Sequence, residues 1–261
     1  MIATSIVSTP VSSVCVVSPT APTGVYDRHD LIPGFDQSAL ARARIGLLGL
    51  GAAGSEIGRV IARKGIGTLI GIDYDHAVEP SNLSRQFYYR DQVGQPKALV
   101  FPANVAREAS GATTIAGYAC SAEEAMDQGL LDDCTAIVVA VDRHPTRAKC
   151  SQFGRERDIP MLFTAFSESA DRGYVFVQDI GSACWGCAFP EQATDPRGFP
   201  CSGATLDLPM MAAGLLAYAI DSLIMARPRA WNYREFTLAG GASDVTARIP
   251  ARADCPLCGG S

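Results

Sequence analysis

A glycine-rich turn, GLGAAG at residues 49–54, constrains the fold of this chain more than any other feature. It directly follows an apolar run at residues 44–49, which is typical of a buried parallel strand, and it opens a predicted helix at residues 53–64. Glycines at this spacing allow a tight turn and a close backbone approach, so phosphate groups can lie at the helix amino terminus. The turn therefore predicts a nucleotide-binding fold, with a tight strand–helix turn that binds nothing as the alternative.

A carboxylate follows at the place where such folds hold a ribose. Residues 68–73 form the second predicted strand, and Asp73 ends it. This is about 20 residues beyond the glycine motif, the distance at which an acidic side chain commonly binds a ribose hydroxyl group. We predict that Gly49, Gly51, Gly54 and Asp73 bind a nucleotide whose identity these residues leave open.

Strands and helices alternate through the first two thirds of the chain, which is typical of a parallel sheet covered by helices on both faces. The predicted strands are residues 44–49, 68–73, 113–119, 135–141 and 159–165, and the predicted helices are residues 53–64, 95–109 and 145–157. Pro102 should kink or break the second helix.

The last third is less regular. It contains predicted strands at residues 173–178 and 233–238 and a strongly apolar helix at residues 208–226. We predict a Rossmann-like, doubly wound, mostly parallel α/β sheet with an additional carboxyl-terminal antiparallel portion. Residues 25–261 should form a single domain, and residues 1–24, rich in Ser, Thr, Val and Pro, a flexible tail; the alternative is that their Val-rich stretch adds an edge strand.

Composition excludes several classes of protein. The chain has 261 residues, is 48% hydrophobic and carries a formal net charge of −5, which argues against disorder and against a dedicated nucleic-acid binder. The first 20 residues contain no Lys or Arg, so no signal peptide is visible. The apolar run at residues 208–220 is too short to cross a bilayer. We expect a soluble cytoplasmic protein without nucleic-acid or membrane partners.

Four of the nine cysteines form two CxxC pairs, Cys184 with Cys187 and Cys255 with Cys258. Each pair can present two thiolates to one tetrahedral zinc ion, and four thiolates close a structural site. We therefore predict a zinc knuckle that attaches the carboxyl-terminal segment to the body of the protein. A redox CxxC and simple packing are the alternatives.

A second polar cluster distinguishes between nucleotides. The segments SNLSRQF at residues 81–87 and GQPK at residues 94–97 bring an amide, a guanidinium and an ammonium group toward the predicted site. Arg and Lys stabilise the negative charge of phosphates and of departing pyrophosphate, so these residues suit a triphosphate better than a dehydrogenase cofactor. A solvated basic loop is the alternative.

These segments closely resemble the ThiF/MoeB superfamily of ubiquitin-activating-type adenylating enzymes, and the resemblance covers about residues 25–258. The matching pieces are YDRH at residues 26–29, GFD at 34–36, the glycine motif, DYD at 73–75, SNLSRQF, GQPK, Val141-Asp142 with Arg147, and both CxxC pairs. One position departs from the family pattern, since Arg143 follows Asp142 where the family usually has Asn.

The resemblance implies an enzyme that uses ATP and Mg²⁺ to adenylate the carboxyl-terminal glycine of a ubiquitin-like or sulfur-carrier protein. It implies that Asp73 holds the ribose beside Asp75 and that Asp142 binds Mg²⁺. It also implies that four further residues contact the phosphates, namely Asn82, Arg85, Gln86 and Lys97.

Two more residues gain roles only from the resemblance. Arg28 matches an arginine that reaches into the active site of the partner subunit, which implies a homodimer. Cys201 matches a loop cysteine that can accept the activated acyl group, although a passive loop cysteine is the alternative.

Three pathways stay open: sulfur-carrier activation for thiamin or molybdopterin synthesis, a bacterial ubiquitin-like conjugation system with its conjugating enzyme, and peptide modification. The Ser/Val-rich amino-terminal segment mildly favours conjugation. The alternatives from other classes are an NAD-dependent oxidoreductase and a non-catalytic scaffold subunit.

Overall fold

The computed structural model describes residues 3–8, 13–18, 23–195, 203, 205–238 and 244–259, whose strands form one ten-stranded sheet. Its centre is five parallel strands in the spatial order β5-β4-β3-β6-β7. They are β3 (Arg44–Leu48), β4 (Thr68–Ile72), β5 (Thr114–Tyr118), β6 (Ala136–Val139) and β7 (Met161–Phe166). The predicted doubly wound parallel sheet is confirmed, with every predicted central strand present.

Helices cover both faces of this sheet. They are α1 (Gln37–Arg42), α2 (Ala52–Lys64), α3 (Lys97–Glu108), α4 (Ala122–Asp127), α5 (His144–Glu156), α6 (Trp185–Ala188), α7 (Pro190–Thr194) and α8 (Asp207–Met225). One hydrophobic core lies under α2, α3 and α8, and the other under α4, α5 and α6. In β6, Val138 faces the first core and Val139 the second, which explains why the strand is apolar at every position.

Antiparallel strands extend both edges of the parallel centre. On one side β8 (Arg172–Gln178), β9 (Tyr233–Thr237) and β10 (Val245–Ala247) form the predicted carboxyl-terminal portion. On the other side β1 (Ala3–Ser8) pairs with β2 (Ser13–Ser18), which pairs with β5. The described part of residues 1–24 therefore forms strands at the edge of the sheet, which agrees with the alternative prediction for this segment. The division into an amino-terminal tail and a single domain stays a prediction.

Helix α8 is longer than the apolar run that the sequence suggested. Its 19 residues make it the one helix in the described part of the chain that is long and apolar enough to cross a membrane by length and composition. However, 56% of the apolar stretch is buried inside the protein, and Leu216 and Ile220 lie in the core beneath α2 and α3. The packing is that of a core helix.

Helix α3 continues through Pro102 as one helix, so the predicted break is absent. Because proline has no N–H, it cannot donate a hydrogen bond to the carbonyl group of Ala98. That carbonyl oxygen lies against β5, where a Cβ on Gly117 would come within 1.8 Å of it. The glycine therefore allows α3 to pack directly on the sheet.

We expect Gly117→Ala to destabilise the protein by about 1–3 kcal/mol, because the added methyl group would force α3 away from β5. Urea unfolding measures this loss. Gly214→Ala is the control: this exposed glycine of α8 has no neighbouring atom within 4 Å of the added carbon and should gain about 0.5–1 kcal/mol. Unchanged stability of Gly117→Ala would contradict the proposed packing.

Candidate functional site

A cavity of about 480 Å³ opens at the carboxyl edge of the parallel strands. The chain leaves β3 toward β4 on one side and reaches β6 on the other, so a crevice forms where the strand order reverses. The loops after β3, β4 and β6 and the end of β7 line this cavity. It lies where open α/β sheets bind ligands.

The three glycines of the turn serve three different purposes. Gly49 has a φ of +87°, and a Cβ there would come 2.9 Å from the Ala140 carbonyl oxygen. A Cβ on Gly54 would come 1.8 Å from the Gly49 carbonyl oxygen, so Gly54 allows close packing and does not line the cavity. A Cβ on Gly51 would meet no atom within 4 Å, and Gly51 lines the cavity. Only Gly51 thus leaves space that a ligand can occupy.

Asp73 holds the glycine turn in place. Its carboxylate accepts hydrogen bonds from the backbone N–H groups of Leu50, at 2.6 Å, and of Asp75, at 2.8 Å. Burial raises the pKa of Asp73, and the nearby Lys97 ammonium opposes that effect. The side chain therefore orders the turn as well as lining the cavity.

Charged groups from separate loops meet in the cavity. Lys97, the first residue of α3, is only 5% exposed, and its ammonium group donates to the Asp75 carboxylate. Asp142 follows β6 and is exposed at the cavity wall. The structure thus brings together eight of the predicted residues as lining groups: Gly49, Gly51, Asp73, Asp75, Arg85, Gln86, Lys97 and Asp142.

Other predicted residues lie elsewhere. Asn82 is buried in a 3-10 turn, Pro80–Asn82, where its side-chain oxygen accepts a hydrogen bond from the Glu79 N–H at 3.0 Å. Arg28 is exposed in a turn at the amino edge of the sheet, opposite to the cavity. Cys201 lies outside the described residues.

Arg147 organises the cavity wall, a role that the sequence did not reveal. Its buried guanidinium donates to the carbonyl groups of Val141, at 2.8 Å, and Thr164, at 2.6 Å, and to the Tyr174 hydroxyl, at 2.9 Å. It therefore joins the segment after β6 to β7 and β8. Only the family resemblance singled out Arg147, and no local pattern could have shown these partners.

The antiparallel portion also contributes to the wall, which no sequence motif indicated. Phe166, Tyr174 and Glu235 line the side of the cavity away from the glycine turn. Cys120 lines it as well, and burial raises the pKa of this thiol to about 11, so it is protonated at neutral pH.

The four predicted zinc ligands form a separate cluster. Their sulfur atoms all lie within 4.8 Å of one another, with Sγ–Sγ distances of 3.4 Å between Cys184 and Cys255 and 3.7 Å within the Cys184–Cys187 and Cys187–Cys258 pairs. These separations are too long for disulfide bonds. Four thiolates around zinc at about 2.3 Å would be spaced by about 3.8 Å, so the cluster fits a tetrahedral zinc ion.

Comparison with known proteins gives a consistent result. A model described as the ThiF family matches residues 26–257. The SAMP-activating enzyme E1 of Haloferax volcanii is 29% identical over 244 residues, which cover 90% of this chain and 88% of that protein. The sulfur carrier protein ThiS adenylyltransferase of Bacillus subtilis is 30% identical over 205 residues, covering 76% of this chain and 56% of that protein.

Solved structures show the same fold. The crystal structure of E. coli MccB with ATP superimposes with a TM-score of 0.76 and 19% sequence identity. The match covers 93% of this chain and 77% of the MccB chain.

We expect Gly51→Val to weaken ATP binding at least tenfold, because the new side chain would occupy cavity space without a clash inside the protein. Its effect on the free energy of unfolding should stay within about 1 kcal/mol. Gly54→Ala provides the contrast, since its clash with Gly49 should destabilise the fold by about 1–3 kcal/mol. Calorimetric ATP titration and urea unfolding distinguish the two, and unchanged ATP affinity in Gly51→Val would argue against a nucleotide at the turn.

We expect the purified protein to contain about one zinc ion per chain, measured by inductively coupled plasma mass spectrometry. Cys255→Ser should lose this metal and lower the melting temperature by at least about 5 °C, because one ligand of a closed site is removed. Cys15→Ala, a buried cysteine of β2 outside the cluster, should keep its zinc. A folded wild-type protein without zinc would contradict the assignment.

Proposed function

The chain belongs to the ThiF family, and from that premise we propose that it is an ATP-dependent adenylyltransferase. The group that it activates is the carboxyl-terminal glycine carboxylate of a ubiquitin-like or sulfur-carrier protein. By their names, its relatives include a SAMP-activating enzyme and an adenylyltransferase for the sulfur carrier ThiS. The observation that carries the proposal is one cavity lined by the glycine turn together with Arg85, Lys97 and Asp142.

The reaction places few chemical demands on the protein. A carboxylate oxygen attacks the α-phosphorus of ATP, the bond to the bridging oxygen breaks, and pyrophosphate leaves. Because the attacking carboxylate is already ionised, no general base is needed. Catalysis therefore depends on positioning and on neutralising phosphate charge, which are roles suited to Arg85 and Lys97.

We assign the remaining groups by position. The uncapped amino terminus of α2, beginning at Ala52, offers backbone N–H groups to phosphate oxygens. Asp73 and Asp75, which line the cavity after β4, are the candidates to bind the ribose. Asp142 is the candidate ligand for Mg²⁺, which supplies further charge neutralisation when bound. The cysteine cluster is structural in this proposal, because a closed four-thiolate site leaves no position for substrate.

The alternatives from other classes explain the cavity less well. An NAD-dependent oxidoreductase needs the glycine turn and Asp73 but has no use for a buried lysine and an arginine beside them. A scaffold subunit would not require Arg85, Lys97 and Asp142 to line the same cavity. Sulfur-carrier synthesis, conjugation and peptide modification share the adenylation step, so the cavity suits all three.

Several finer assignments belong to this proposal. They are a homodimer in which Arg28 acts on the partner's site, transfer of the acyl group to Cys201, involvement of a conjugating enzyme, and location in the cytoplasm. None of the eight described cysteines forms a disulfide bond, which suits a reducing compartment.

The test is ATP–pyrophosphate exchange, measured with and without a small-protein fraction from the native host. Lys97→Ala and Arg85→Ala should each lower stimulated exchange by at least a hundredfold, because each removes a charge that stabilises the departing pyrophosphate. Lys149→Ala is the matched control, since this lysine is 60% exposed on α5 outside the cavity, and its exchange rate should equal the wild-type rate.

Retained exchange in both cavity variants would remove the basis of the assignment. Absence of exchange in the wild type together with NAD binding would support the oxidoreductase instead.

A further inference from the structure

The antiparallel portion of the sheet carries a half-buried glutamate into the wall of the cavity, on the side away from the glycine turn. This residue, Glu235 of β9, lines the cavity and accepts a hydrogen bond from the Tyr233 hydroxyl group at 2.7 Å. In the part of the chain that the structure describes, no cationic side chain forms an ion pair with it. Its negative charge therefore faces the ligand space without a countercharge bound to it.

The carboxylate of Glu235 is held in place by its neighbours in the sheet. Strand pairing sets Glu235 opposite Tyr174 of β8, whose hydroxyl accepts a hydrogen bond from Arg147 at 2.9 Å. The ring of Tyr233 lies 6.0 Å from the Tyr174 ring and stacks on it. The donor to Glu235 thus belongs to the same wall that Arg147 organises. A carboxylate fixed in this way loses little entropy when it binds a cation.

Other charges at this end of the cavity leave it negative. Arg172 also lines the cavity, but its side chain is 58% exposed and its Nε lies 3.8 Å from the Asp171 carboxylate. Glu168 lines the cavity as an exposed residue. Together with Glu235, these carboxylates outnumber the guanidinium groups of Arg172 and the buried Arg147. A cation that enters here is attracted, and an anion is repelled.

The strand order gives the distance between Glu235 and the reaction. In the proposed function, the substrate carboxylate reaches ATP beside Asp142, which follows β6. The spatial order β6-β7-β8-β9 places three strand spacings of about 4.8 Å, or about 14 Å, between this strand and Glu235. Extended peptide covers that distance in about four residues. A substrate tail with its terminal carboxylate at ATP can therefore bring its fourth residue from the end to Glu235.

We propose that Glu235 selects substrates whose tail carries a lysine or arginine about four residues from the carboxyl-terminal end. The inference rests on the proposed function, because the terminal carboxylate must lie at ATP. A cationic side chain at that position would form a charge-assisted hydrogen bond with Glu235 in a cavity partly shielded from water. An acidic side chain would meet a like charge, so the same carboxylate also rejects unsuitable tails.

Tetrapeptides joined to adenosine through an acyl sulfamate test this selection, because they are stable mimics of the acyl-adenylate. Three tails are compared by calorimetric titration: Arg-Ala-Gly-Gly, Ala-Ala-Gly-Gly and Glu-Ala-Gly-Gly, each acetylated at its amino terminus. The wild-type protein should bind the Arg tail at least about tenfold more tightly than the Glu tail, with the neutral tail between them.

The variant Glu235→Gln removes the charge and keeps the shape of the side chain. It should bind the three analogues with affinities within about threefold of one another, because the tails then differ only in weak, screened interactions. Glu156→Gln is the matched control, since this exposed glutamate at the end of α5 lies outside the cavity and its loss should leave the wild-type preference unchanged. ATP titration of both variants verifies that their cavities are intact.

Equal affinity of the wild-type protein for the Arg and Glu tails would overturn the proposal, as would a preference for the Arg tail that persists in Glu235→Gln. In either case, ATP–pyrophosphate exchange that depends on Lys97 would show that the adenylation proposal survives. Failure of all three analogues to displace ATP would instead contradict adenylation itself, and the selection by Glu235 would fall with it.

Discussion

The contact between the glycine turn and the first turn of α2 determines the geometry on which the nucleotide cavity depends. The Gly49 carbonyl oxygen lies so close to Gly54 that no side chain fits between them. Helix α2 therefore begins directly at the end of β3, and its amino terminus faces the crevice, where Ala52 and Ala53 line the cavity. Asp73 secures the same turn from the neighbouring strand by accepting the Leu50 N–H.

Helix α3 is held against α2 and β4 because two glycines pack closely on an aromatic ring of α3. A Cβ on Gly58 of α2 would come 2.5 Å from the Phe101 ring, and a Cβ on Gly71 of β4 would come 3.0 Å from it. Phe101 thus joins two helices and a strand at one point. Lys97 lies one turn before Phe101 in α3, so the position of its buried ammonium group follows from packing that is remote from the charges themselves.

Sequence patterns predicted the five central strands because four are short apolar runs and the fifth, at residues 113–119, alternates as a strand does. They did not predict α1, α4 or β10, which have six, six and three residues and are too short to show a period. The predicted site included Asn82 and Gly54, which instead support the turns around it. A motif identifies the residues of such a region but not which of them pack and which line the cavity.

The two edges of the sheet have different roles, and the difference follows from parallel topology. All carboxyl ends of the central strands meet at one edge, where the loops carry Asp73, Arg85 and Asp142 into a single cavity. The amino ends meet at the other edge, where the segment around Arg28 is packed against Gly65 and Gly111. The fold itself therefore separates Arg28 from the cavity of its own chain.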